Sequence, residues 1–289
     1  MIVFLRRRKL GLGSCTAIAA EMRGIFPYED IRVGRPDQLG SIPDGSVVIR
    51  WGTTTTIPAN NITVINSAQS IHWCHDKRAG RLSMMDYGVP CPATWGHPQF
   101  IPAHWPEGRG MVVRPKNHSQ GRHLYVCRTN DEIQQAWRRL GAPEHGCYFS
   151  ELIDKVAEYR VFVLQGRVVW VARKTPGNPD DVAWNVARGG RFDNVRWGDW
   201  PLAVITAAIA AARLSGTHFC GVDVMVDGDG GPYVLEVNSA PSQTSPYRQE
   251  CVAKAFAWMV RNTFDLDLGG TPMVEGWRDV IHPGLMEGR

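Results

Sequence analysis

Short apolar runs bounded by Gly, Pro, Asn and Asp recur along the chain and read as β-strands, while longer capped or one-faced stretches read as helices. Ile2-Val3-Phe4-Leu5 is a buried strand, Ser14 caps a helix running to about Met22, and strands follow at residues 30–33 and 47–51. Strand, loop, helix, strand predicts a small parallel α/β sheet. Thr63-Val64-Ile65-Asn66 is a further strand, followed by a turn or two of helix over residues 67–73. A helix over residues 76–87 ends at Gly88, with Pro90 and Pro92 just beyond.

From Gly110 the pattern turns to β: residues 111–115, a polar loop 116–122, then residues 123–127. Thr129 and Glu132 form a capping box that opens a helix to Leu140. Residues 147–153, 158–164 and 167–174, the last two joined at Gln165-Gly166, read as strands of an antiparallel sheet. Residues 175–200 are rich in Gly, Pro, Asn, Asp and Arg and read as a long functional loop. An Ala-rich helix, residues 201–214, begins at Pro201. Residues 245–262 form an amphipathic helix with Val252, Ala255, Phe256 and Met259 on one face, and a Gly/Pro-rich tail follows from Gly269.

Between those last two helices, residues 221–226 and 233–238 flank Asp227-Gly228-Asp229-Gly230-Gly231, whose turn chemistry predicts a hairpin. Alternation sends Glu236 and Asn238 to one face, and antiparallel pairing brings Asp223 across from them. Two carboxylates and an amide on rigid strands suit a hard cation such as Mg²⁺ bridging the phosphates of a nucleotide.

Composition narrows the setting. The 289 residues are 44% hydrophobic and 21% charged with a net charge of +4, an ordinary globular balance that tolerates an anionic substrate and does not point to nucleic acid. Seven scattered cysteines, never spaced Cys-x-x-Cys, predict neither a disulfide framework nor a zinc ribbon. The apolar start is followed at once by Arg6, Arg7, Arg8 and Lys9, the reverse of a signal peptide, and no run approaches a membrane span. A cytoplasmic protein is expected. His72-Trp73-Cys74-His75 is too closely spaced for a tetrahedral site, and Gly11-Leu12-Gly13 is a weak dinucleotide signal. The Arg6 to Lys9 run could face an anionic substrate at the sheet's carboxyl edge.

Taken in order from Asn66 to Asn262, these motifs resemble the ATP-grasp superfamily, most closely the branch holding the ribosomal-protein glutamate ligase and D-alanine–D-alanine ligase. Asn66-Ser67, Asp76-Lys77 and Gly88-Val89-Pro90-Cys91-Pro92-Ala93-Thr94 are similar to that family's entry into its central domain. The resemblance implies an α/β (α+β) fold: an N-terminal parallel α/β domain (1–75), a central ATP-grasp subdomain (76–150), a C-terminal subdomain with the metal site (151–268) and a tail (269–289). It places Lys77 and Arg114 or Lys116 on the nucleotide phosphates, Arg114 standing where the family has lysine, and Gly121 in the phosphate-covering flap. Glu151, Leu152 and Ile153 fall at the adenine hinge, Glu158 near the ribose acid, Arg160 just after it, and Arg173 with Lys174 on a basic pair. Asn185, Arg188, Gly189 and Gly190 resemble the Asn-x-x-Arg-Gly-Gly loop, and Asp223, Glu236 and Asn238 the metal triad.

The implied activity is ATP-dependent carboxylate–amine ligation through an acyl phosphate. ATP and Mg²⁺ are the implied cofactors, with Mn²⁺ as the alternative ion. Its partners would be a carboxylate and an amine, whether small molecule, peptide or protein terminus, with neither nucleic acid nor membrane; homo-oligomerisation is left open. Arg188 would stabilise the transferring phosphoryl group, with Asn185 and Arg173 assisting. The rival readings are a small-molecule kinase of the same fold and a nucleotide-binding module without turnover.

Overall fold

The computed structural model describes residues 1–7, 11–103, 105, 109–116, 123–141, 146–178, 181–184 and 189–261. The chain opens with β1 (Ile2–Arg6), α1 (Leu12–Ile25), β2 (Ile31–Gly34), β3 (Val47–Trp51) and β4 (Thr63–Ile65). These four strands form the expected parallel sheet in the order β2-β1-β3-β4. Helix α1 starts before the expected cap: Gly11, at φ 81°, is its N-cap residue, and Ser14 lies inside. The Ser14 hydroxyl instead accepts the Gln243 N–H at 2.9 Å, tying α1 to a loop more than two hundred residues on.

Helices α2 (Ala68–His75) and α3 (Lys77–Asp86) follow, capped by Ser67 and Asp76 through the N–H groups of Ser70 and Ala79. The second sheet, in the order β5-β8-β6-β7, comprises β5 (Thr94–Trp95), β6 (Met111–Pro115), β7 (Tyr125–Cys127) and β8 (Cys147–Glu151), covered by α4 (Asn130–Arg139). The predicted capping box of Thr129 and Glu132 is formed. Strand β7 is shorter than expected, because His123 sits at φ 52°, outside the extended region.

The third sheet, in the order β11-β10-β9-β12-β13, carries the site: β9 (Lys155–Leu164), β10 (Arg167–Thr175), β11 (Arg191–Asn194), β12 (Phe219–Asp227) and β13 (Pro232–Asn238). The long loop expected over residues 175–200 is thus interrupted by an edge strand paired antiparallel with β10. Helix α5 (Leu202–Ser215) lies on one face of this sheet, where Val161, Val163, Val222, Val224, Val234 and Val237 meet its alanines. On the other face Phe162, Trp170 and Phe219 join Phe4, Trp51 and Phe256 in a core shared with the first sheet, α1 and α6 (Pro246–Arg261). Phe219 and Phe256 meet edge to face with centroids 5.0 Å apart. Among the described residues, no helix is long and apolar enough to cross a membrane.

Candidate active site

Where the first sheet ends, the second and third leave between them a cleft of about 1490 Å³. Strand parity decides what faces it. Along β12, Val222 and Val224 point to α5, so Asp223 and Met225 point to the cleft. On β13, Asp223 pairs with Glu236 but Val224 pairs with Val234, so Leu235 is an extra, bulged residue. The bulge lets Val234 and Val237 both reach the core while Leu235, Glu236 and Asn238 line the cleft. The Leu235 carbonyl then accepts Nε of Arg81 on α3 at 2.6 Å.

The acids of this wall each meet a cation. Arg160, the neighbour of Asp223 on β9, donates from Nε to Oδ1 and from Nη2 to Oδ2, both at 2.6 Å. Lys174 on β10 stands 3.2 Å from the same carboxylate and bonds Glu158 as well. Glu158 also takes Lys155 at 2.5 Å, and Glu236 takes Lys77 from the start of α3 at 2.5 Å. Burial alone would raise the pKa of Asp223, but Arg160 and Lys174 outweigh it and hold the carboxyl below the usual range. Burial opposes the charge of Arg160 and Lys174 too, yet the carboxylates prevail and both pKa values rise. Lys155 goes the other way, since burial outweighs its pull from Glu158.

At the back of the cleft, Glu151 donates its N–H to Ala93 at 2.8 Å and Leu152 to Gly110 at 2.9 Å. The Ile153 N–H is left without a partner among the described residues, beside an apolar slot of Val112, Met225 and Leu235. Gly110 has to be small there, because a Cβ would lie 2.5 Å from Leu152 Cδ2. An apolar slot ending in an open backbone donor accepts a flat heteroaromatic ring.

Residues 99–256, more than half of the chain, match the family described as the RimK-like ATP-grasp domain. The chain belongs to that family. A probable alpha-L-glutamate ligase of Aeromonas salmonicida is 26% identical over 189 residues, covering 63% of this chain and 61% of that protein. The corresponding protein of Vibrio vulnificus is 28% identical over 184 residues, 62% and 60% of the two. The chain thus spans about six-tenths of the length of the curated relatives it matches. Two solved structures share the fold at 15% identity. The ATP-grasp ligase PsnB, complexed with a minimal precursor, Mg and ADP, superposes with a TM-score of 0.65 over 90% of this chain and 97% of that one. D-alanine–D-alanine ligase from Bacillus anthracis does so with a TM-score of 0.63 over 91% and 98%.

On this ATP-grasp frame most of the expected site residues converge. Lys77, Arg114, Glu151, Leu152, Ile153, Glu158, Arg160, Asp223, Glu236 and Asn238 all line the cleft. Two do not. Lys116 follows Pro115, where β6 ends, and its side chain packs beside Gly146, leaving Arg114 as the cleft's cation on that strand. Arg173 is exposed on the far face of β10, since its neighbour Lys174 takes the cleft side. Gly121, Asn185 and Arg188 lie outside the described residues. The residues not anticipated are Arg81, Lys155 and Arg248, which carry no motif; the partners of Arg81 and Arg248 lie on other elements, and Lys155 pairs with Glu158 within β9.

Among the described residues, no three His, Cys, Asp or Glu side chains gather into a metal cluster. The donor set at the hairpin is two carboxylates and an amide. Asn238 Nδ2 donates to Glu236 Oε1 at 3.0 Å, which fixes the amide and keeps its oxygen available. All three are hard oxygen donors on neighbouring strands, and the set fits Mg²⁺.

Proposed function

We propose that the protein is an ATP-dependent carboxylate–amine ligase, working in the cytoplasm, that forms an amide through an acyl phosphate. The observation that carries this reading is the acid wall of Asp223, Glu236 and Asn238 set within one cleft with Arg114, Lys77 and the open Ile153 N–H. In this reading the adenine enters the slot of Val112, Met225 and Leu235, and Ile153 donates to it. Lys77 and Arg114 hold the phosphates. Asp223, Glu236 and Asn238 would hold Mg²⁺, which when bound offsets phosphate charge. Arg160 and Lys174 keep Asp223 ionised and oriented.

A substrate carboxylate oxygen attacks the γ-phosphorus of ATP and ADP leaves. An amine then attacks the acyl carbon and inorganic phosphate departs, so one ATP is spent per amide. The chain's task is to bring two anions together, which is positioning and charge compensation. The domain division at residues 75, 150 and 268 is part of the proposal; the placing of β1–β4, β5–β8 and β9–β13 in three separate sheets supports the first two boundaries, and residue 268 lies outside the described residues. The cytoplasmic assignment is supported by the cysteines, all seven of which are free. The roles proposed for Arg188 and Asn185 rest on their motif.

Because relatives are called probable alpha-L-glutamate ligases, L-glutamate is the first amine to test. Incubation with ATP, Mg²⁺ and paired pools of carboxylates and amines should release phosphate together with a product lighter by one water than the sum of its parts, read by mass spectrometry. Phosphate transfer to an acceptor with no amide would replace the ligase by a kinase of the same fold.

A further inference from the structure

Arg248, in the first turn of α6, is a guanidinium only 4% exposed that has no ion-pair partner among the described residues. Its Nε donates to Asn194 Oδ1 at 2.7 Å and its Nη2 to the Phe192 carbonyl at 2.9 Å, both on β11. The guanidinium carbon lies 5.1 Å from the Trp170 ring centroid and 5.6 Å from that of Phe192. These contacts lock the plane and use one side of the fork. The end face, Nη1 and the second hydrogen of Nη2, is left, and Nη1 has no partner among the described residues. Arg248 lines the cleft there, beside Ser242, Thr244 and Ser245.

Lys77, Lys155, Arg160 and Lys174 each pair with a carboxylate, whereas the hydrogen bonds of Arg248 go only to neutral acceptors. A buried charge is costly until an opposite charge meets it. An end-on guanidinium of fixed plane takes a carboxylate through two parallel hydrogen bonds. The position also matters, because Arg248 shares the Phe192 ring with two cations of the acid wall. Arg160 lies 5.0 Å and Lys174 5.5 Å from the same ring. A group held at Arg248 therefore lies in the same cleft as the acid wall.

We propose that Arg248, with the hydroxyls of Ser242, Thr244 and Ser245, forms a subsite for a carboxylate that the reaction does not consume, the free carboxylate of an amino-acid or peptide substrate. This rests on the ligase reading, which puts an acceptor in the cleft beyond the nucleotide. Arg248 binds and orients, and takes no part in bond making.

The test crosses protein and substrate variants. Wild type, Arg248→Lys and Arg248→Gln, each checked for thermal unfolding, are assayed with Mg²⁺ and ATP against L-glutamate, its α-amide and its γ-amide. Amidation of the anchored carboxylate should cost wild type about tenfold to a hundredfold in kcat/KM, the range of a hydrogen bond to a charged group. Arg248→Gln should lose as much with the free acid, in KM rather than kcat, and little more with the amide. Arg248→Lys should fall between, and KM for ATP should stay within about twofold in all three. Equal losses on acid and amide in Arg248→Gln would reduce Arg248 to a brace for β11 and overturn the subsite. So would a wild type that accepts both amides as well as the acid, or turns over none of the three. The ligase reading itself falls only if the wider pools give no amide.

Discussion

Replacing Asp223 with Asn keeps the shape of the side chain and removes its charge. In the wild type, Asp223 and Glu158 face Lys155, Arg160 and Lys174, and Asp223 and its bidentate partner Arg160 expose only 5% and 16% of their side chains. The variant leaves those three cations with Glu158 and, on Arg160, the pull of Glu236, weaker than that of Asp223. Breaking one buried ion pair costs about 3–5 kcal/mol, chiefly because the surviving charge stays desolvated. At ~2 °C per kcal/mol, the low end for chains of this size, the melting temperature of the ligand-free protein should drop by at least about 6 °C at pH 7.5. Added salt should recover little of this, since buried pairs are poorly screened. The pH dependence has a fixed sign. The folded pKa of Asp223 is depressed, so its contribution is complete above the unfolded value of about 3.9 and disappears as pH falls through the folded one. The gap between wild type and variant, followed by far-UV circular dichroism, should therefore narrow below about pH 4. A ligand-free variant melting within about 1 °C of wild type at pH 7.5 would refute the reasoning, because Arg160 and Lys174 would then not depend on Asp223.

Two further changes probe the supports of the site. His218 accepts the Asn66 N–H at Nδ1, 2.9 Å away, and burial lowers its pKa, so the neutral form is the folded one. Stability from this group is complete above the unfolded value of about 6.5 and is lost as pH falls below it. His218→Asn, which keeps an acceptor near that position, should flatten part of the fall in melting temperature between pH 7 and 5.5; an unchanged slope would exclude His218 as its source. At Gly221 a Cβ would lie 2.7 Å from Pro241 Cβ, so Gly221→Ala must push the Asn238–Pro241 loop outward. A destabilisation of about 1–3 kcal/mol in urea unfolding is expected, and none would mean that the loop yields freely.

The hairpin was legible because its signals are local: an Asp/Gly turn, alternating valines, and an acid and an amide two residues apart at Glu236 and Asn238. The parallel opening sheet was legible for the same reason. What could not be read was parity beyond an irregularity. The register of β9 and β10 shifts between Val168 and Trp170, and the strand's own order gives no sign of whether Arg173 or Lys174 then faces the cleft. Strand β11, Arg-Phe-Asp-Asn, lacks an apolar run because it is a mostly exposed edge, so its pairing with β10 decides its form. Arg81 and Arg248 sit in helices as ordinary surface-type residues would. Their partners, Leu235, Phe192 and Asn194, lie 154, 56 and 54 positions away, beyond any local pattern.

The charges of the acid wall explain how a hard-cation donor set can stand on a buried sheet. Acids on β9, β12 and β13 alternate with cations on α3, β9 and β10, so opposite charges fall on adjacent strands, where side chains of one face meet. Each pair is also a link between elements: Lys77–Glu236 joins α3 to β13, and Arg160–Asp223 joins β9 to β12. Loss of activity alone therefore cannot give any of these residues a chemical role, because the same change loosens the sheet that positions all the others. Arg248 differs in this respect. Its hydrogen-bonded anchors on β11 are a carbonyl and an amide, so no carboxylate of the fold is bonded to it where it lines the cleft.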